Sequence, residues 1–118
     1  MVALGIADDE PDILRLFKLM LDRNGYPIAY MAGNGDEAVE KQRQSPAEIV
    51  IMDYCMPFKD GIEAAKEIIK EFPATKIILM TCGEDVSGVL DGLDRVTVVK
   101  KPFTFKSIIK LLESSIKM

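Results

Sequence analysis

The chain has 118 residues, 48% hydrophobic and 29% charged, a balance that supports one folded domain with its own core and excludes a disordered chain. Its formal net charge of -4 offers no basic surface to a phosphate backbone, so direct nucleic-acid binding is not expected. No apolar stretch approaches the roughly 20 residues that span a bilayer and no charged-then-apolar leader opens the sequence, so no membrane contact and a cytoplasmic location are expected.

Taken in order, the first apolar run is Val2 to Ala7, which meets Asp8, Asp9 and Glu10. A helix should begin near Pro11, carry Ile13, Phe17, Met20 and Leu21 on one face, and stop at Asn24-Gly25. Ile28 to Ala32 reads as a short second strand. Asn34 can cap a helix whose Ala38 and Val39 face inward, and Ser45-Pro46 ends it. Ile49 to Met52 is the third strand, ending at Asp53. A loop from Tyr54 to Asp60 follows, then Gly61 and a helix with Ile62, Ala65, Ile68, Ile69 and Phe72 on its inner face, closed by Pro73. Ile77 to Met80 ends at Thr81. The stretch Cys82 to Asp94 contains Gly83, Gly88 and Gly92, so its helix should be short or loose. Val96 to Val99 ends at Lys100 and Lys101, and Phe105, Ile108, Ile109, Leu112 and Ile116 mark a final helix.

Five strands alternating with five helices predict an α/β domain over residues 1–118, doubly wound around a five-stranded parallel sheet of flavodoxin-like topology. Short runs rich in Val and Ile read as strands buried on both faces. In such sheets the ligand crevice lies beyond the carboxyl ends of the strands. Asp8 and Asp9, Asp53, Thr81 and Lys101 all stand at those ends.

An isolated Asp at a strand end is more often a turn former or helix cap, and a lone Thr or Lys there usually has no role. The four positions together, each at the crevice end of its own strand, point to a site. Carboxylates that converge cannot all stay ionised without a proton or a hard cation, and a set of oxygen donors suits Mg²⁺. Asp8 and Asp9 point different ways, so one is expected to bind the ion directly and the other through water. Asp53 can then keep one oxygen on the metal and present the other as a nucleophile to phosphorus. Lys101 supplies a cation for the phosphoryl oxygens and Thr81 a hydroxyl donor. Histidine is absent, which removes imidazole metal ligands, histidine-based triads and a phosphohistidine on this chain. Cys55 and Cys82 are too few for a metal knuckle and are expected to be reduced, as small apolar fillers at the rim of the pocket.

These residues resemble the receiver domains of two-component response regulators. Asp8-Asp9 looks like the family's acidic pair, and Asp53 with Met56-Pro57 and Gly61 looks like its phosphoacceptor segment. Thr81 matches its hydroxyl position, and Lys101-Pro102-Phe103 its Lys-Pro-Phe ending. The resemblance implies that Asp53 takes phosphate from a phosphohistidine on a sensor histidine kinase or phosphotransfer protein, or from a small phosphodonor, and relays the signal to a downstream protein. It implies Mg²⁺ held by Asp9, Asp53 and the backbone carbonyl of Cys55, with Asp8 reaching the ion through water. It also implies no turnover of an external substrate. Val98 stands where the family often has an aromatic residue, and the stretch from Thr81 to Lys101 is shorter than its usual spacing.

Three alternatives are weighed. A flavodoxin-like flavin binder needs a Ser/Thr/Gly phosphate cradle after the first strand, where this chain has Asp8-Asp9-Glu10. A phosphohydrolase with an Asp nucleophile usually carries a second carboxylate close after it, where this chain has Tyr54, Cys55 and Met56. A pseudo-receiver, acting through protein contacts without phosphorylation, keeps the fold and drops the chemistry.

Overall fold

In a computed structural model, residues 2–86, 88–90 and 93–116 are described. The strands are β1 (Leu4–Ala7), β2 (Ile28–Ala32), β3 (Ile49–Asp53), β4 (Lys76–Thr81) and β5 (Val96–Lys100). The helices are α1 (Pro11–Arg23), α2 (Gly35–Gln44), α3 (Gly61–Glu71) and α4 (Phe105–Ile116). All neighbouring strands pair in parallel, in the order β2-β1-β3-β4-β5. The crossover between β1 and β3 makes this the flavodoxin-like arrangement the sequence predicts, and places a crevice at the carboxyl ends of β1 and β3.

Side chains alternate across the sheet and build two cores. On one face Val50, Met52, Ile77 and Leu79 pack with Ala38 and Val39 of α2 and with Ile62, Ala65 and Ile68 of α3. On the other, Ile49, Ile51, Ile78 and Met80 pack with Phe17 and Leu21 of α1 and with Ile108 and Leu112 of α4. The helix boundaries follow local chemistry. Pro11 opens α1, and Gly25, just past its end, adopts φ 76°. The Asn34 side chain accepts the Glu37 N–H at 2.8 Å and that of Asp60 accepts the Glu63 N–H at 2.9 Å, capping α2 and α3.

Two expectations need correction. The predicted five helices are four: between β4 and β5 the described residues hold only a 3-10 turn, Gly88–Leu90, and Gly92 lies outside them. Glycine's cost in a helix and the shortness of the segment both favour this outcome. The second correction concerns β5, predicted to be buried on both faces. None of its five residues is buried, and Val98 is 42% exposed. Val96 packs on the core over α2 and α3; Val98, two residues on and facing the same way, has no helix above it among the described residues.

Candidate acidic pocket at the carboxyl edge of the sheet

Strand ends bring the predicted residues together. Asp8 follows β1, and its own N–H donates to Ala32 O at 3.0 Å, extending the β1–β2 ladder by one step. Asp53 is the last residue of β3 and is buried. Its backbone is fixed from two sides. The Tyr54 N–H donates to Met80 O at 2.9 Å, and the Gly61 N–H to Tyr54 O at 2.8 Å. Gly61 is required there: a Cβ on it would lie 2.3 Å from Asp53 O. Thr81 ends β4 and is buried. Its carbonyl accepts the Lys101 N–H at 2.6 Å, which sets the residue after β5 against the pocket.

One carboxylate oxygen from each of Asp8, Asp9 and Asp53 lies within 4.8 Å of the other two. The Lys101 ammonium donates to Asp53 Oδ1 at 3.0 Å. Lys100, one residue earlier, is exposed, with its stem against Gly83, so the register predicted for the last strand places the two lysines as found. Asp8 Oδ1 accepts the Glu10 N–H at 2.9 Å, whereas Asp8 Oδ2 is buried with no partner among the described residues. Asp9 is exposed. Burial pushes the Asp8 carboxyl up to about 6, opposed by the Glu10 N–H and Lys101, and reinforced by the charges of Asp53 and Asp9. For Lys101, burial disfavours the charge, but the hydrogen bond and charge of Asp53, together with Asp8, outweigh it and raise its pKa.

Cys55 and Cys82 both stand at the rim as predicted, but both are exposed thiols rather than core fillers. Between them lies a residue the sequence reading did not single out. Glu84 Oε1 accepts the Cys82 N–H at 2.7 Å, and Cys55 Sγ donates to Oε2 at 3.6 Å. Burial, then the Glu84 bond, push the Cys55 thiol up. Position alone could have flagged Glu84, three residues past the end of a crevice strand. The loop after Asp53 holds a second unpredicted feature: Phe58, 87% exposed, adopts φ 68°, and the Lys59 N–H closes onto Pro57 O at 2.8 Å.

Residues 4–113 match the response regulator receiver domain. The chain is 34% identical to the chemotaxis protein CheY of Thermotoga maritima over 109 residues, 91% of either chain. It is 38% identical to the response regulator GtcR of Aneurinibacillus migulanus, spanning 40% of that protein's length. Among solved structures, it superposes with a TM-score of 0.87 on a chain of the CheX-CheY-BeF3-Mg complex from Borrelia burgdorferi, 24% identical, covering 98% of this chain and 89% of that one. The isolated REC domain of RcsB from Salmonella enterica, with phosphomimetic BeF3, gives a TM-score of 0.85 at 27% identity, covering 98% and 88%. Sequence match, fold and order of residues along the strand ends agree, and the chain belongs to the response regulator receiver domain family of two-component systems.

Proposed function

We propose that this domain accepts a phosphoryl group on Asp53 from a sensor histidine kinase or phosphotransfer protein, in a Mg²⁺-dependent reaction, and passes the signal on by a change of shape. The observation that carries the reading is the buried Asp53 carboxylate, paired with Lys101 and flanked by an acidic cluster in which one Asp8 oxygen is buried and unpartnered. An orphaned oxygen among three carboxylates fits a hard divalent cation, with Asp8, Asp9, Asp53 and the backbone carbonyl of Cys55 as the groups to hold it. When bound, such a cation absorbs charge from the phosphoryl oxygens.

The remaining steps belong to the chain. An Asp53 oxygen forms a bond to phosphorus as the bond from phosphorus to the donor's leaving group breaks: an imidazole nitrogen for a phosphohistidine, or an acetate oxygen for acetyl phosphate. The leaving group takes the electron pair. Lys101 stays within reach of the transferred group and offsets its charge, and the Thr81 hydroxyl is a donor for another of its oxygens. Such a module turns over no external substrate. The cytoplasm, where kinase and small phosphodonor are found, is the proposed location.

Incubation with acetyl phosphate and Mg²⁺, followed by mass spectrometry, tests this reading. One phosphoryl group on Asp53 is expected, lost in Asp53→Asn and on removal of Mg²⁺. Lys101→Met should keep the fold and impair the response. Labelling that survives in Asp53→Asn would overturn the assignment; a chain that takes no label from any donor would be a pseudo-receiver.

A further inference from the structure

The Glu84 side chain is exposed, yet it is held from more than one side. Its Oε1 accepts the first backbone N–H beyond β4, that of Cys82, at 2.7 Å, and its Oε2 receives the Cys55 thiol from the loop beyond β3 at 3.6 Å. The Lys101 ammonium is near enough to favour its charge. A glutamate can turn back onto the amide two residues before it because Gly83, between them, adopts φ 111°, a conformation that side chains oppose. Cys82 lines a cavity of about 470 Å³ together with Asp8 and Lys101. The backbone N–H of a residue that borders a cavity shared with an ammonium is the kind of donor that a transferred phosphoryl oxygen takes. Glu84 already occupies it.

We propose that Glu84 is a placeholder anion: it holds the Cys82 N–H in the unphosphorylated domain and must give it up when a phosphoryl group arrives beside Lys101. This rests on the reading of Asp53 as the acceptor. Two consequences follow from the geometry. Asp53, Asp8 and Glu84 put three carboxylates near one ammonium, so Glu84 opposes the approach of an anionic donor. The segment it anchors is also short. Thr81 is buried at one end and Val86 at the other, with the Val89 and Leu90 N–H groups bonded to Val86 O. Displacement of Glu84 must therefore be taken up by residues 82–85, and the exposed surface of that loop is where phosphorylation is first felt.

The test is titration of the full chain with beryllofluoride in Mg²⁺, followed by the Cys82 amide resonance and by the half-saturating concentration. Glu84→Gln keeps the shape but replaces a charged acceptor with a neutral one, so half-saturation should fall by about fivefold, the difference between a charge-assisted and a neutral hydrogen bond. Its free Cys82 amide proton should lie upfield of the wild type. Glu84→Asp keeps the charge but shortens the reach, and should behave like Glu84→Gln at the Cys82 amide. If Glu84→Gln matches the wild type in both measurements, or if Glu84→Asp retains the wild-type Cys82 resonance, the placeholder is wrong. Asp53 labelling by acetyl phosphate in the wild type, read separately, distinguishes that failure from failure of the acceptor assignment.

Discussion

Strands β3 and β5 are alike in sequence and opposite in surroundings. Both are five-residue strands, mostly apolar and ending in a charged residue, yet every position of β3 is buried and no position of β5 is. β3 lies between β1 and β4, with helices over both faces. β5 is an edge strand, paired with β4, and the described residues of the segment before it hold a 3-10 turn where a helix would cover Val98. Apolar character shows that a strand can be buried; its neighbours decide whether it is. The division also runs through the pocket. Asp53 is seated on the covered side, while Lys101 comes from the strand with the looser setting and the Cys82 to Glu84 loop enters the same uncovered region.

The widest gap between the two sides should appear in stability. Ile51, in the middle of β3, is fully buried between α1 and α4. Ile51→Ala should cost about 2–5 kcal/mol in urea denaturation, from lost transfer energy and a residual cavity. Val98→Ala should change stability by less than about 0.5 kcal/mol, because its methyls already meet water. A loss at Val98 as large as at Ile51 would mean that something covers β5 in solution.

Next in size is a pH effect confined to the covered side. Asp8 has a folded pKa raised to about 6 from an ordinary 3.8. Between those values the folded protein binds more protons than the unfolded chain, so stability falls as pH rises through that window. Below it both forms are protonated and the burden vanishes. In metal-free protein the decline should be on the order of 2–3 kcal/mol. Asp8→Asn should flatten it, and Mg²⁺ should counter it near neutral pH. Urea midpoints at pH 4 and pH 7 measure the difference; an Asp8→Asn profile as steep as the wild type would place the titrating group elsewhere.

Glycines on the two sides offer a third contrast. A Cβ on Gly61 would strike Asp53 O at 2.3 Å, whereas one on Gly88 meets nothing within 4 Å. Gly61→Ala must shift the backbone of Asp53 and should cost about 1–3 kcal/mol, as overpacking does. It should also slow acetyl phosphate labelling. Gly88→Ala, in open space, should stay within about 0.5 kcal/mol. Equal effects at the two glycines would remove the distinction between a fixed acceptor and an unconfined turn.

How far the sequence could be read follows from the same contrast. Residues whose placement depends on their own strand were legible: Asp8, Asp53, Thr81 and Lys101 each stand where an apolar run stops. The cap at Asn34 and the start of α1 at Pro11 were legible too, because helix initiation is local. What could not be read depended on something absent or on a return of the chain. The exposure of Val98 goes with a segment whose described residues form a 3-10 turn rather than a helix, and one residue's alternation pattern does not report its neighbour's cover. Glu84 is marked only by its place past the end of β4; that it turns back onto the Cys82 amide depends on Gly83, which leaves no periodic trace. The rim cysteines were expected to be fillers because cysteine usually packs as a hydrophobe, but here both lie past the ends of their strands, where there is no core to fill.

The smallest expected effect lies where the covered side gives way to loop. Five residues after Asp53, Phe58 holds φ 68° with its ring in solvent, a conformation that costs a side-chain-bearing residue about 1–2 kcal/mol. Phe58→Gly removes that strain but adds about 0.5–1 kcal/mol of unfolded-chain entropy. The net gain should therefore be about 0.5–1 kcal/mol, visible as a higher urea midpoint with an unchanged slope. Phe58→Asn tolerates the same conformation without glycine's entropy and should gain at least as much. Since Phe58 is 87% exposed, neither change should alter labelling by acetyl phosphate, a small donor that needs only the pocket. A loss of stability in both variants would mean that the ring is packed, and that the loop after Asp53 belongs to the covered side.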